Sequence, residues 1–242
     1  MIGLGTILNT AAVAVGGLLG LCLKNGFKKE IQDILMQACG VANIFIAVSG
    51  ALSYMLVVTE SGIETQGTML LIFSLVIGSV VGELLKLEDK LDGVGERIKA
   101  AAKRNNDSQF VEGFVNVSLI ICIGAMAIVG SIQDGMNHDY SILVAKSIMD
   151  GIIVMVFAST YGLGAVFSAI PIFIYQGSIT LLAAFCGSFI SQVLIDEVSF
   201  VGSALIFCVG INIAFGKRFR IGNMLPAMLI PVVYEIVKGF LR

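Results

Sequence analysis

Eight apolar runs divide this chain almost end to end, at about 2 to 23, 38 to 58, 67 to 86, 110 to 132, 141 to 167, 170 to 190, 198 to 216 and 224 to 241. Each is close to the roughly 20 residues that a helix needs to cross a bilayer. The runs are continuously apolar, whereas a membrane barrel would alternate in segments of about ten residues. Helices also satisfy every backbone polar group internally, which hydrocarbon demands. Composition agrees: 57% of the 242 residues are hydrophobic and 13% charged, with a mean hydropathy of +0.96. A soluble domain does not need that much apolar surface for one core. The expectation is an all-α fold, a polytopic helical transmembrane bundle of seven or eight spans forming one integral membrane domain over 1–242. The last run carries Pro226, Pro231 and Glu235 and reads as a broken or re-entrant helix, which separates the two counts.

Lysine and arginine orient the bundle. Lys24, Lys28 and Lys29 follow the first run; Lys86, Lys90, Arg97, Lys99, Lys103 and Arg104 follow the third; Lys217, Arg218 and Arg220 follow the seventh. These three connections hold 12 of the 15 basic residues and fall on one side of an eight-span arrangement. By the positive-inside rule that side is cytoplasmic and the N-terminus lies outside. Residues 2 to 23 lack a basic leading segment and exceed the usual length of a signal-peptide core, so they read as a retained span. The expected location is the cytoplasmic membrane.

Little in the chain points to catalysis. Cys22, Cys39, Cys122, Cys186 and Cys208 lie in or at the ends of apolar runs without CxxC spacing, as buried reduced thiols do. His138 is the sole histidine, so no metal site, cofactor motif, HExxH, P-loop or GxSxG sequence is present. A nucleophile and base pair is lacking, no enzyme is expected, and no basic patch suits nucleic acid. Gly93 to Gly95 form a GVG without the rest of a dinucleotide fingerprint.

Helical periodicity extends beyond the apolar runs. Phe27, Ile31, Ile34, Leu35 and Ala38 share one face, as do Leu87, Leu91, Val94, Ile98 and Ala102, which predicts helix extensions or interfacial helices at the headgroups. Small residues recur every four positions at Ala12, Gly16 and Gly20, at Gly78 and Gly82, and at Ala158 and Gly162. Such ridges admit close helix approach, either within the chain or along a homo-oligomeric seam. Asn9 before Gly16 and Gly17, and Asn116 before Gly124, give a weak sign of two repeated halves, spans one to four and five to eight. Transporters often place their sites between such halves.

Several stretches are distinctive as written: GAMAIVGSIQDG from Gly124 to Gly135, AKSIMDG from Ala145 to Gly151, FSAIP from Phe167 to Pro171, GNMLPA from Gly222 to Ala227 and the opening Gly3 to Asn9. With them the chain resembles, over essentially its whole length, the bacterial membrane proteins of the YdfK/YqgA type, grouped as the domain-of-unknown-function family numbered 554. The resemblance implies a multi-spanning bacterial membrane protein and carries no substrate or residue role.

The functional case therefore rests on polar residues inside the apolar runs. Lys146 and Asp150 lie four apart in the fifth run, on one helical face. Counted from Ser141, Asp150 falls about 13 Å in, near the middle of a hydrocarbon layer about 30 Å thick. Ionisable residues at that depth mark ion and substrate paths. Asp134, Gln133, Asn116, Asn9 and Asn212 complete the candidate set, because amide oxygens and a carboxylate are hard ligands suited to an alkali cation or the polar head of an amino acid. Gly130 and Gly135 bracket a turn expected to open an outward polar vestibule toward Asp150. The expected function is movement of a small ion or polar metabolite. The competing reading is a membrane scaffold in which Lys146 and Asp150 form a structural ion pair and the amides join helices.

Overall fold

A computed structural model describes residues 1–24, 28–101, 103, 109–122, 125–186 and 191–240. Phe27 and Ala102 of the two amphipathic stripes, and Gly124 of the suggested repeat, lie outside them. The helices are α1 (Leu4–Lys24), α2 (Lys29–Met55), α3 (Thr68–Leu85), α4 (Leu87–Ala101), α5 (Phe110–Cys122), α6 (Ala125–Asn137), α7 (Ser141–Tyr161), α8 (Leu163–Phe167), α9 (Ala169–Cys186), α10 (Gln192–Phe215), α11 (Ile221–Met224) and α12 (Ile230–Phe240), with a 3-10 segment Leu225–Leu229 between the last two. A short antiparallel hairpin, β1 (Leu56–Thr59) and β2 (Gly62–Thr65), joins α2 to α3.

Among the described residues six helical segments are long and apolar enough to cross a membrane, and a seventh if α5 and α6, bent by 60°, count as one span. The run at 38 to 58 supplies a shorter apolar helix, Gly40–Met55, because the chain extends into β1 at Leu56. The amphipathic stretch before it is the continuous first half of α2. The run at 141 to 167 splits at Gly162, whose φ of 71° and ψ of −143° end α7. Residues Leu163–Phe185 then form the next span. The turn of the α6–α7 connection is at His138, with φ 58°; α6 runs helically through Gly130 and Gly135, so these glycines do not break it. Gly93 lies inside α4, an amphipathic helix.

Two closely packed helix pairs organise the bundle. Along α1 and α7, a Cβ at Gly16 would collide with the Gly151 carbonyl and one at Gly20 with the Met155 carbonyl. Along α2 and α10, Gly40 faces Ala214, Gly210 faces Ile44, and Gly50 faces Ser203. Gly78 and Gly82 of α3 abut Ala227 and Asn223. The ridges read from the sequence are thus occupied within the chain. Phe45, Phe185, Leu84 and Ile148 remain highly exposed, as lipid-facing residues of a bundle are.

The contacts define two ends. One, the hairpin end, carries the starts of α1, α7 and α10 and the β-hairpin. The other, the basic end, carries α4, the α7–α8 turn and Lys217. Between them lies an apolar core containing Val13, Val117, Ile120, Val154, Phe157 and Ile172.

Candidate functional site

Four helices contribute polar side chains to the interior near the hairpin end. Thr6 and Asn9 come from α1, Ser131 and Asp134 from α6, Lys146 and Asp150 from α7, and Gln176 and Thr180 from α9; all are buried. Each belongs to a helix whose other face is apolar, so burying that helix in the bundle carries the polar group with it. The close α1–α7 approach allowed by Gly16 and Gly151 brings Asn9 to Asp150.

At the centre, Lys146 Nζ lies 2.7 Å from the Asp150 carboxylate. Asn9 Nδ2 donates to Asp150 Oδ2 at 3.0 Å and to Gln176 Oε1 at 3.1 Å. One helical turn nearer the hairpin end, the Thr6 and Thr180 hydroxyls lie 3.3 Å apart, and the Gly5 backbone N–H donates to Asp134 Oδ2 at 3.1 Å. That N–H belongs to the first turn of α1, where no intrahelical acceptor exists. A carboxylate there is favoured by the helix dipole. The result is a polar column that follows α1 from its first turn to Asn9.

The column is incompletely satisfied. Asn9 Oδ1, Gln176 Nε2, Ser131 Oγ and Asp134 Oδ1 are buried without hydrogen-bond partners among the described residues. Asn9, Ser131, Asp134 and Gln176 are all 0% exposed. Buried polar atoms are ordinarily paired, and the cost of leaving one unpaired is about 1–3 kcal/mol. Four such atoms fall in this one column.

Not all of the expected residues join it. Asn9, Lys146, Asp150 and Asp134 do. Gln133 points elsewhere on α6 and is half-buried; its carbonyl accepts from Asp139 N at 3.3 Å. Asn116 and Asn212 lie toward the basic end, lining a cavity of about 610 Å³. Asn212 holds the chain after α10: its Oδ1 accepts from the Arg218 and Phe219 amides and its Nδ2 donates to the Phe219 carbonyl, at 2.8 to 2.9 Å.

The cavity is acidic. Glu88, Asp92, Glu96 and Glu112 line it together with one lysine, Lys217, which pairs with Glu88 at 2.6 Å. Burial raises the Asp92 carboxyl above its ordinary value against the opposing pull of Lys217. The hydrogen bond to Glu88 raises the Lys217 ammonium above its own. Leu119, Tyr161, Ile213 and Ile221 belong both to the cavity wall and to the apolar core, so that core separates the cavity from the polar column.

Sequence reasoning missed Gln176, Thr180 and Thr6. Gln176 had a usable signal: an amide in the middle of an apolar helix is itself an intramembrane polar residue. It also missed Asn223, whose Oδ1 accepts from Glu88 N at 2.7 Å and whose Nδ2 donates to Glu83 Oε2 at 2.6 Å. Arg220 joins the same Glu83 carboxylate at 2.6 Å, fixing the start of the last span to α3 and α4.

Comparison with known proteins bears on the whole chain. The Uncharacterized membrane protein YdfK of Bacillus subtilis is 35% identical over 237 residues, covering 98% of this chain and 97% of that protein. The Uncharacterized protein YqgA of Escherichia coli is 26% identical over 231 residues, covering 94% of each. No solved structure matches the chain. The description "Protein of unknown function (DUF554)" matches residues 4–236, and with that coverage the chain, a membrane protein with several apolar spans, belongs to this family.

Proposed function

We propose that this protein moves a small ion or polar solute across the cytoplasmic membrane, with Asp150 as the ionic residue of its site and Lys146 as the counter-charge. The observation that carries the reading is the unpaired set around Asp150. Asn9 Oδ1 and Gln176 Nε2 are an acceptor and a donor left open on two amides that already bond each other beside the carboxylate. A network built only to join helices would satisfy both. The arrangement along the bundle agrees: a polar column in one half, an apolar plug, then an acidic cavity in the other. With the basic loops in the cytoplasm, the buried column lies in the outer half and the cavity in the inner half, an arrangement that suits a carrier closed at its centre.

A membrane scaffold is the second reading. Its support is the short, closed Lys146–Asp150 pair, which neutralises both charges without a ligand. Flux decides. Purified protein in liposomes should carry at least one of a panel of alkali cations, amino acids and small organic acids, responding to an imposed ion gradient. Asp150→Asn, nearly isosteric and still able to accept from Asn9, should cut that flux by at least about tenfold while leaving the protein folded. Folded protein that shows no flux with any member of the panel sinks the transport reading.

A further inference from the structure

Asp150 has a lysine; Asp134 has none. The two are the carboxylates of one buried column and Lys146 is its only ammonium, so with both acids ionised the column holds one surplus negative charge. Asp134 is 0% exposed, and its single described partner is the Gly5 amide on Oδ2. Its Oδ1 is unpartnered, as is Ser131 Oγ three residues earlier on the same face of α6. Residues Thr6 and Thr180 adjoin Asp134: Thr6 follows Gly5, Gly135, next to Asp134, packs on the Thr180 carbonyl, and the two hydroxyls lie 3.3 Å apart.

We propose that Asp134 Oδ1 and Ser131 Oγ, with the Thr6 and Thr180 hydroxyls beside them, form a binding site for one monovalent alkali cation. Hard oxygen ligands select a hard cation. The surplus of one negative charge fits a single positive one; a divalent ion would leave the column positive and ordinarily takes more carboxylate than Asp134 supplies. A metal ion held by both oxygens would take up the surplus charge and meet both open acceptors. The acidic cavity at the basic end has the same sign preference, since four carboxylates to one lysine raise the local concentration of cations. The inference rests on the transport reading only for its purpose, because it identifies the species that the column admits; the site itself stands on charge and geometry.

Thermal unfolding of the detergent-purified full chain tests it. NaCl, KCl or LiCl is titrated against N-methyl-glucamine chloride at constant ionic strength and fixed pH. The expected result is a saturable rise in Tm with at least one alkali cation, absent in Asp134→Asn, whose amide oxygen can still accept from Gly5. Ser131→Ala, which keeps the carboxylate, should weaken half-saturation by about tenfold, and it decides the matter if Asp134→Asn does not fold. No alkali-dependent rise in the wild type, or an equal rise in both variants, overturns the site, as does a rise produced only by lowering pH. Binding without flux of any solute would sink transport and leave this site standing. Flux from a protein whose Tm ignores alkali cations would do the reverse.

Discussion

The α1–α7 and α2–α10 pairs solve the same packing problem and differ in what they enclose. Both bring backbones together by placing glycine where any side chain would collide: Gly16 and Gly20 in the first, Gly40 and Gly210 in the second. The α2–α10 seam is lined beyond its glycines by Ala47, Leu205 and Ile206, and Ser203 returns its hydroxyl to the Ser199 carbonyl. The α1–α7 seam holds Asn9, Lys146 and Asp150 at the same kind of close approach. Close packing is therefore the common scaffold, and a lysine–carboxylate pair is added to the α1–α7 seam, whereas α10 buries a lone carboxylate, Glu197, beside Tyr54 of α2. In hydrocarbon that addition is costly, which is why the functional reading belongs to α1–α7.

The largest expected effect breaks the contrast at its charge. Lys146→Met leaves Asp150 uncompensated and should cost about 3–5 kcal/mol, read as loss of monodisperse protein on size exclusion. Adding Asp150→Leu should restore folding, because replacing a buried pair by apolar groups is often near neutral. The double variant then resembles the α2–α10 seam: folded and, on the transport reading, inactive in flux. Full flux from it would show that the pair only holds helices together.

Next in size are the glycines, which test what the seams share. Gly16→Val and Gly210→Val should each destabilise by about 1–3 kcal/mol through overpacking, measured as a fall in Tm of comparable size. If only one seam suffers, the two pairs are not equivalent scaffolds.

The smallest effect leaves stability untouched and gives the contrast a direction. In a cysteine-free background, a cysteine at Asn137 should react with a membrane-impermeant thiol reagent in intact cells, and one at Lys217 should not. Labelling at Lys217 would reverse which end of the polar column meets the outside.

Much of this was legible in the sequence because length and apolarity alone specify a membrane helix. The spans from Leu4, Thr68 and Ser141 begin close to where the apolar runs begin. What hydropathy could not report is where an apolar stretch changes direction. Gly162 lies inside uninterrupted hydrophobic sequence, and the turn there is visible only in the folded chain, where α8 packs on α5 with Gly164 against the Phe110 carbonyl. The site divided along similar lines. Lys146, Asp150, Asp134 and Asn9 stood out because charge and amides are rare in apolar runs. Asn116 and Asn212 carry the same signal at a depth nearer the basic end, and depth is a property of the folded helix. Thr6 and Thr180 were silent, since hydroxyls are common in membrane helices and become informative only when α1 and α9 bring them together.

The hydrogen bond from Gly5 to Asp134 gives α1 a part in two conversations. Its first turn reads the state of Asp134, and one turn later Asn9 of the same helix orients Asp150. A helix that touches both carboxylates is the physical connection through which the two would be linked. If occupancy at Asp134 alters affinity at Asp150 by some factor, occupancy at Asp150 must alter affinity at Asp134 by the same factor. The pair can then be measured from either side, and the product of one measurement fixes the other.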